Sequence, residues 1–214
     1  MPADRGSGLR AQLTRDRVLS SAFELADREG VDALSMRRLA TEVGFEVMSL
    51  YHYVANKEDL LDGMVDLVAA GIDVPDPSGP WKDELRRTAL SMQAELVRHP
   101  WATSLWSTRK PGPWRLAHME AVLRTLNYSG LPPDLAHVGF HALNNHVVGF
   151  TLQEQAFTVD GDLDAAAEGF LASLPSGQYP HVVEHVRAHI DSAEPEDGFA
   201  FVLELILDGL EQRG

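Results

Sequence analysis

Apolar residues recur at helical spacing along almost the whole chain. Val18, Ala22, Leu25 and Ala26 fall at i, i+4, i+7 and i+8, one face of a 3.6-residue helix. Thr14 can cap that helix, Asp16 sits in its first turn where the dipole favours an anion, and Gly30 stops it. Ser35 caps a second helix, SMRRLATEV, with Met36, Leu39, Ala40 and Val43 turned inward and Gly44 at its end. Only Gly-Phe-Glu separates it from a third helix over 47–54, and Asn56 caps a fourth that runs through Leu60, Leu61, Met64, Val65 and Val68. The turn-formers DVPDPSGP at 73–80 mark a boundary. Beyond it the pattern predicts helices over about 81–98, 101–108, 113–128, 131–157, 162–173, 180–191 and 196–212. No stretch reads as a strand, so the fold class is all-α. The divisions are a flexible arm over 1–13, a three-helix domain over 14–60, and a larger helical domain over 61–214.

Charge changes this picture. Residues 1–57 hold eight basic and eight acidic side chains, whereas the rest of the chain carries the whole net charge of −14. A nucleic acid would be repelled by most of the molecule, which leaves only the first quarter to touch one. The 44% apolar content supports a substantial core, and the lack of cysteine excludes disulfides and thiolate metal sites. No signal peptide and no run of ~18 apolar residues is evident, so the expectation is a cytoplasmic protein with no membrane partner.

A helix ending in Gly44, a three-residue turn and a short second helix form a helix-turn-helix, whose second helix enters the major groove. Leu50 and Val54, four apart, would anchor it inward. Val47, Met48, Ser49, His52 and Tyr53 would face the groove, with Tyr51 at the flank. Hydroxyl and imidazole groups can bond base edges or phosphates, and Val47 and Met48 can touch thymine methyls. Arg37 and Arg38 open the preceding helix, and Lys57 begins the fourth, where charge and backbone N–H groups suit a phosphate. Arg5 and Arg10 are expected to be disordered with the arm, and entry into a minor groove is the alternative.

The segment LSMRRLATEVGFEVMSLYHYVANKEDLL, within a match over about 14–64, resembles the TetR family of transcriptional regulators. The resemblance implies DNA contacts at Arg37, Val47, Met48, Ser49, Tyr51, Tyr53 and Lys57. DGFAFVLELILDGLEQ at 197–212 resembles the last helix of tetracycline-repressor-like C-terminal domains. Together these imply a repressor that binds an operator in double-stranded DNA and is released by a small-molecule effector. Glu46 stands where relatives often have a small capping residue, and its carboxylate can meet the helix start. Tyr53 stands where many relatives have histidine. The segment AAGIDVPD lacks the histidine with which tetracycline repressors bind their ligand, so tetracycline is not inferred.

For the effector, polar residues set among apolar ones on the 131–157 helix suggest a pocket. Its expected lining is Trp106, Trp114, His118, His137, His141, Asn144 and Val148, an apolar site with a few orienting polar groups. For a homodimer, Gly139, Ala142, His146 and Gly149 form a small-residue seam, and Phe199, Val202, Leu203, Ile206 and Leu210 form an apolar stripe. Pairing both helices across a two-fold axis would give a four-helix bundle. A competing reading is a metal-dependent hydrolase, because HVVEH matches H-x-x-E-H, with His181, Glu184 and His185 as its residues and His189 one turn on. No other catalytic motif is present, and the expectation is a non-enzyme with no metal and no cofactor.

Overall fold

The computed structural model describes residues 12–158, 163–191 and 198–214. Arg5 and Arg10 of the expected arm lie outside the described residues. Leu13 does not belong to an arm: it is buried in the core.

Among the described residues every regular element is helical. In the first part, α1 (Arg15–Glu29) is followed by a 3₁₀ turn (Val31–Ala33), α2 (Met36–Val43), α3 (Val47–Leu50) and α4 (Lys57–Ala69). The second part comprises α5 (Trp81–Arg98), α6 (Pro100–Trp106), α7 (Pro113–Tyr128), α8 (Pro133–Thr158), α9 (Leu163–Ser173), α10 (Pro180–Asp191) and α11 (Gly198–Glu211).

The caps act where local chemistry puts them. The side chains of Thr14, Ser35 and Asn56 each accept a bond from a first-turn N–H, of Arg17, Arg38 and Asp59. Gly44 closes α2 in the left-handed region at φ +74°, and Gly30 ends α1 at φ +81°; both conformations favour glycine. Pro100 follows the end of α5 as the first residue of α6, where its missing N–H is harmless.

One continuous core runs through both parts, from Val18 and Leu39 to Leu203 and Leu210. Helix α4 spans the 60/61 division and packs against α1 on one side and α5, α6 and α7 on the other. Helix α8 lies among α5, α6, α7 and α11. Lys82 bonds Glu211 at 2.9 Å and also Asp208, and Arg86 grips Glu204, at 2.9 Å through Nη2, so α5 and α11 are joined at their surface.

That packing corrects the expected dimer seam. Phe199, Leu203 and Leu210 are buried inside the single chain, and a side chain on Gly139 would press on Leu210. His146 stacks on Phe199 of its own chain, with Nε2 2.9 Å from the Phe199 carbonyl, and Ile206 packs against the core. Gly149 has open space above it and Val202 is partly exposed, with Phe201, Leu205, Val138 and Leu152 exposed around them. The stripe therefore divides, with Phe199, Leu203 and Leu210 facing inward and Val202 outward. No helix among the described residues is long and apolar enough to cross a membrane.

Candidate nucleic-acid interface and effector cavity

The recognition segment is shorter than its periodicity predicts. Helix α3 ends at Leu50 and residues 51–53 continue as a turn, with the N–H groups of Tyr53 and Val54 both donating to the Leu50 carbonyl. Leu50 and Val54 are buried, so both anchors hold. Glu46 precedes the helix without a side-chain cap bond, contrary to expectation.

Asp59 fixes this segment from below. Its carboxylate accepts the Ala55 N–H at 2.8 Å and a two-pronged bond from Arg15 at 2.8 and 3.2 Å. Arg15 also donates to the Tyr53 carbonyl at 2.6 Å, which ties the start of α1 to the end of the reading turn. The Arg15 bonds hold the Asp59 carboxyl below its usual range.

Met48 is 70% exposed, and Tyr51 and His52 also face outward. Ser49 is partly exposed. Val47 and Tyr53 are half-buried against the core, so the Tyr53 ring is in part a packing group as well as a surface one. The cations divide into two sets. Arg38 bonds Glu29 at 2.6 Å and Arg28 bonds Glu42 at 3.0 Å, so Arg38 is held in place rather than reaching out. Arg37 is exposed and Lys57 partly so, and neither has an acidic partner among the described residues.

The second candidate site is a cavity of about 300 Å³ between α5, α6, α7 and α8. Trp106, His118, His141 and Asn144 line it, as expected. Three expected members do not. Trp114 is exposed at the start of α7, His137 faces outward and meets His141 edge-on, and Val148 is buried away from the space. The spacing along α8 was right for one stripe, but the cavity opens only over its middle turns.

Sequence reasoning missed the wall formed by α5 and the start of α7: Leu85, Thr88, Met92 and Arg115. Arg115 stacks over Trp106, its guanidinium carbon 4.6 Å from the ring centre. It donates to the carbonyls of Trp106 at 2.5 Å and Arg109 at 3.0 Å, closing the end of α6. Burial and the nearby Arg115 charge push the His118 imidazole down to about 4, so it is neutral at pH 7. Asp66, also missed, is a lone buried acid in the apolar run of α4, a signal visible in the sequence. It accepts the N–H groups of Trp114 at 3.2 Å and Arg115 at 2.9 Å, capping α7 from another helix. Asp62, one turn earlier, accepts the Lys110 N–H at 3.2 Å.

HVVEH forms an exposed helix. The side chains of His181 and Glu184 are 95% and 83% exposed, 3.7 Å apart, and the His189 side chain lies outside the described residues. No group of three such ligands gathers among the described residues.

Residues 18–64 match the family described as bacterial regulatory proteins, tetR family, and residues 74–213 match the tetracyclin repressor-like C-terminal domain. The chain is 36% identical to the HTH-type transcriptional repressor DrrR1 of Streptomyces coeruleorubidus, over 95% of this chain and 79% of that one. It is 28% identical to the class D tetracycline repressor protein of Escherichia coli, over 94% and 90%. Among solved structures, ActR of Streptomyces coelicolor in complex with actinorhodin superposes with a TM-score of 0.82 at 33% identity, covering 94% and 98% of the two chains. The exposed reading turn, the two cations left without acidic partners and these matches agree: the chain belongs to the TetR family, and it is a DNA-binding transcriptional regulator rather than a hydrolase.

Proposed function

We propose that the protein is a repressor that grips a palindromic operator as a homodimer and lets go when a small molecule fills the α5–α8 cavity. The observation that carries this is a continuous set of bonds from cavity to DNA-reading head. Arg115 borders the cavity and holds the end of α6. Its own N–H is held by Asp66 of α4. Helix α4 begins at Lys57, beside the reading turn. A ligand that moves the α6–α7 corner therefore moves the head, provided it binds one arrangement better than the other. DNA contact falls to Arg37, Val47, Met48, Ser49, Tyr51, His52, Tyr53 and Lys57. The domains divide at about residue 60, with α4 serving both. The place of action is the chromosome, and so the cytoplasm.

A second copy is the occupant that suits the outer face of α8 and α11, where Val138, Leu152, Phe201, Val202 and Leu205 stand exposed. Apolar exposure of that kind marks an association surface, and two heads on a two-fold axis read two half-sites. Helices α9 and α10 pack chiefly on each other and, with the residue before α10, expose Phe170, Tyr179 and Val182, which adds apolar surface for the same partner.

Selection of bound sequences from random DNA should return an inverted repeat with half-sites about one helical turn apart, ~34–36 Å. Sedimentation should give a dimer at micromolar concentration, and Leu205→Glu a monomer that no longer holds the repeat. Recovery of unrelated sequences, or a monomeric wild type that binds as well, would refute the proposal.

A further inference from the structure

Three buried side-chain atoms among the described residues have no hydrogen-bond partner: Thr88 Oγ1, Arg109 Nε and His118 Nδ1. Two of the three, Thr88 and His118, border the same cavity, on facing helices α5 and α7. Thr88 is 3% exposed and His118 8%. Leaving such an atom unpaired costs roughly 1–3 kcal/mol, so a core selected only for stability would not keep two of them in one place. A helical threonine ordinarily bonds the carbonyl one turn back, as Thr125 and Thr151 do here at 3.0 and 2.8 Å. Thr88 does not, and its hydroxyl is left unpaired on a helix that walls the cavity.

The rest of the wall narrows the choice. Trp106 and Phe140 supply aromatic faces, and Met92 and Met119 supply thioethers that adapt to and favour ring edges. Arg115 brings a buried positive charge with no carboxylate in ion-pair contact among the described residues. Of the acids nearby, Asp66 is turned to backbone N–H groups at the α7 start, and Asp62 to the Lys110 N–H at 3.2 Å and the Arg109 guanidinium at 3.8 Å. Burial first, and the Arg115 charge second, keep His118 from accepting a proton, and both would oppose a ligand ammonium.

Resting on the effector reading above, we propose that the cavity selects an aromatic hydroxyl compound, a phenol or enol that is neutral or anionic, and rejects cationic ring systems. The ligand O–H donates to the free nitrogen of neutral His118, and a ligand oxygen accepts from the Thr88 hydroxyl. A site built around unpaired polar atoms discriminates strongly against an analogue lacking the matching group.

Three probes on one naphthalene ring test this: 1-naphthol, 1-fluoronaphthalene and 1-naphthylammonium presented as its N,N,N-trimethyl salt to keep the charge at neutral pH, titrated into the full chain by calorimetry and by quenching of tryptophan emission. 1-Naphthol should bind at least about tenfold more tightly than the fluoro compound, the difference one well-placed hydrogen bond supplies, and the ammonium most weakly. Thr88→Val and His118→Phe should each shrink the gap by weakening 1-naphthol alone. Their affinity for 1-fluoronaphthalene should stay at the wild-type level, which also reports that the variants are folded. Equal affinity for naphthol and fluoronaphthalene, a gap unchanged in both variants, tighter binding of the ammonium, or no binding of any probe at millimolar concentration each overturns the inference. Operator retention measured with the same probes separates it from the reading beneath it. Selective 1-naphthol binding that leaves the operator bound keeps the pocket chemistry and sinks ligand release. Release by the ammonium does the reverse.

Discussion

In the reading head, polar groups are paired with one another; in the body, the informative polar groups are unpaired. Asp59 alone holds Arg15 and the Ala55 N–H, and its own N–H goes to the Asn56 side chain. Glu29 and Glu42 occupy Arg38 and Arg28. Two cations of the head, Arg37 and Lys57, have no acidic partner among the described residues and reach the surface. The body inverts this. Its surface charge is acidic, and its three side-chain atoms without a hydrogen-bond partner among the described residues, at Thr88, Arg109 and His118, are inside. A surface meant for DNA can hold some of its cations in ion pairs and leave others to meet phosphates and base edges. A site meant for a small molecule is made by leaving donors and acceptors unpaired in an apolar wall.

The largest effect should come from breaking the frame of the head. Leu50 is fully buried and is one of the two anchors of the reading segment. Leu50→Ala should cost about 2–5 kcal/mol, seen as a lowered thermal midpoint together with lost operator binding. Binding of 1-naphthol at temperatures below the transition should survive. A loss under about 1 kcal/mol would mean that the head is held by its ion pairs and caps instead, and the contrast drawn above would fail.

The next largest test concerns the body. His118 is held down to about 4 in the folded chain, against an ordinary value near 6.5. Between those values the unfolded chain takes up a proton that the folded chain refuses. Stability contributed by neutral His118 is therefore full above pH ~6.5 and is lost as pH falls toward 4, by about 3 kcal/mol at most. Carboxylates such as Asp59, whose folded values are lowered, also lose stability toward acid. The measurement is thus the difference between wild type and His118→Phe in denaturant melts from pH 7 to 4. Parallel pH curves would show that the imidazole is not desolvated as the cavity geometry requires.

The same contrast explains what the chain disclosed in advance. Caps at Thr14, Ser35 and Asn56, the glycine at position 44 and the 47–64 motif act over a few residues, so periodicity and local chemistry recover them. The cavity depends on where three or four helices diverge, which no single helix records. His141 and Asn144 could be picked out because polar groups interrupt an apolar face. Thr88 could not, since a threonine in TALSMQ looks like any helical threonine until its usual acceptor is seen to be unused. The expected dimer seam meets a related limit. A wide apolar stripe says that two partners exist, but not which half belongs to the chain itself; here Phe199, Leu203 and Leu210 face inward, and Phe201 and Leu205 outward.

The smallest expected effects separate the two free cations of the head. Arg37 opens α2 with its guanidinium exposed, and its planar fork matches a guanine edge. Arg37→Ala should cost about 1–3 kcal/mol on the selected operator and relax preference at one base pair. Lys57 is different: it lies at the N-terminus of α4, where backbone N–H groups and the helix dipole already favour an anion. An ammonium is a point charge that suits a phosphate rather than a base. Lys57→Ala should therefore weaken all DNA sequences about equally and reduce the slope of log affinity against log salt by about one unit. Both variants should melt like wild type, because neither side chain pairs with an acid among the described residues. If Lys57→Ala changes preference among sequences while the salt slope holds, α4 approaches a base edge and the head docks in a different register. If neither variant affects binding at fixed salt, the free cations are ordinary surface charge, and the contrast between paired and unpaired groups does not describe how this head meets DNA.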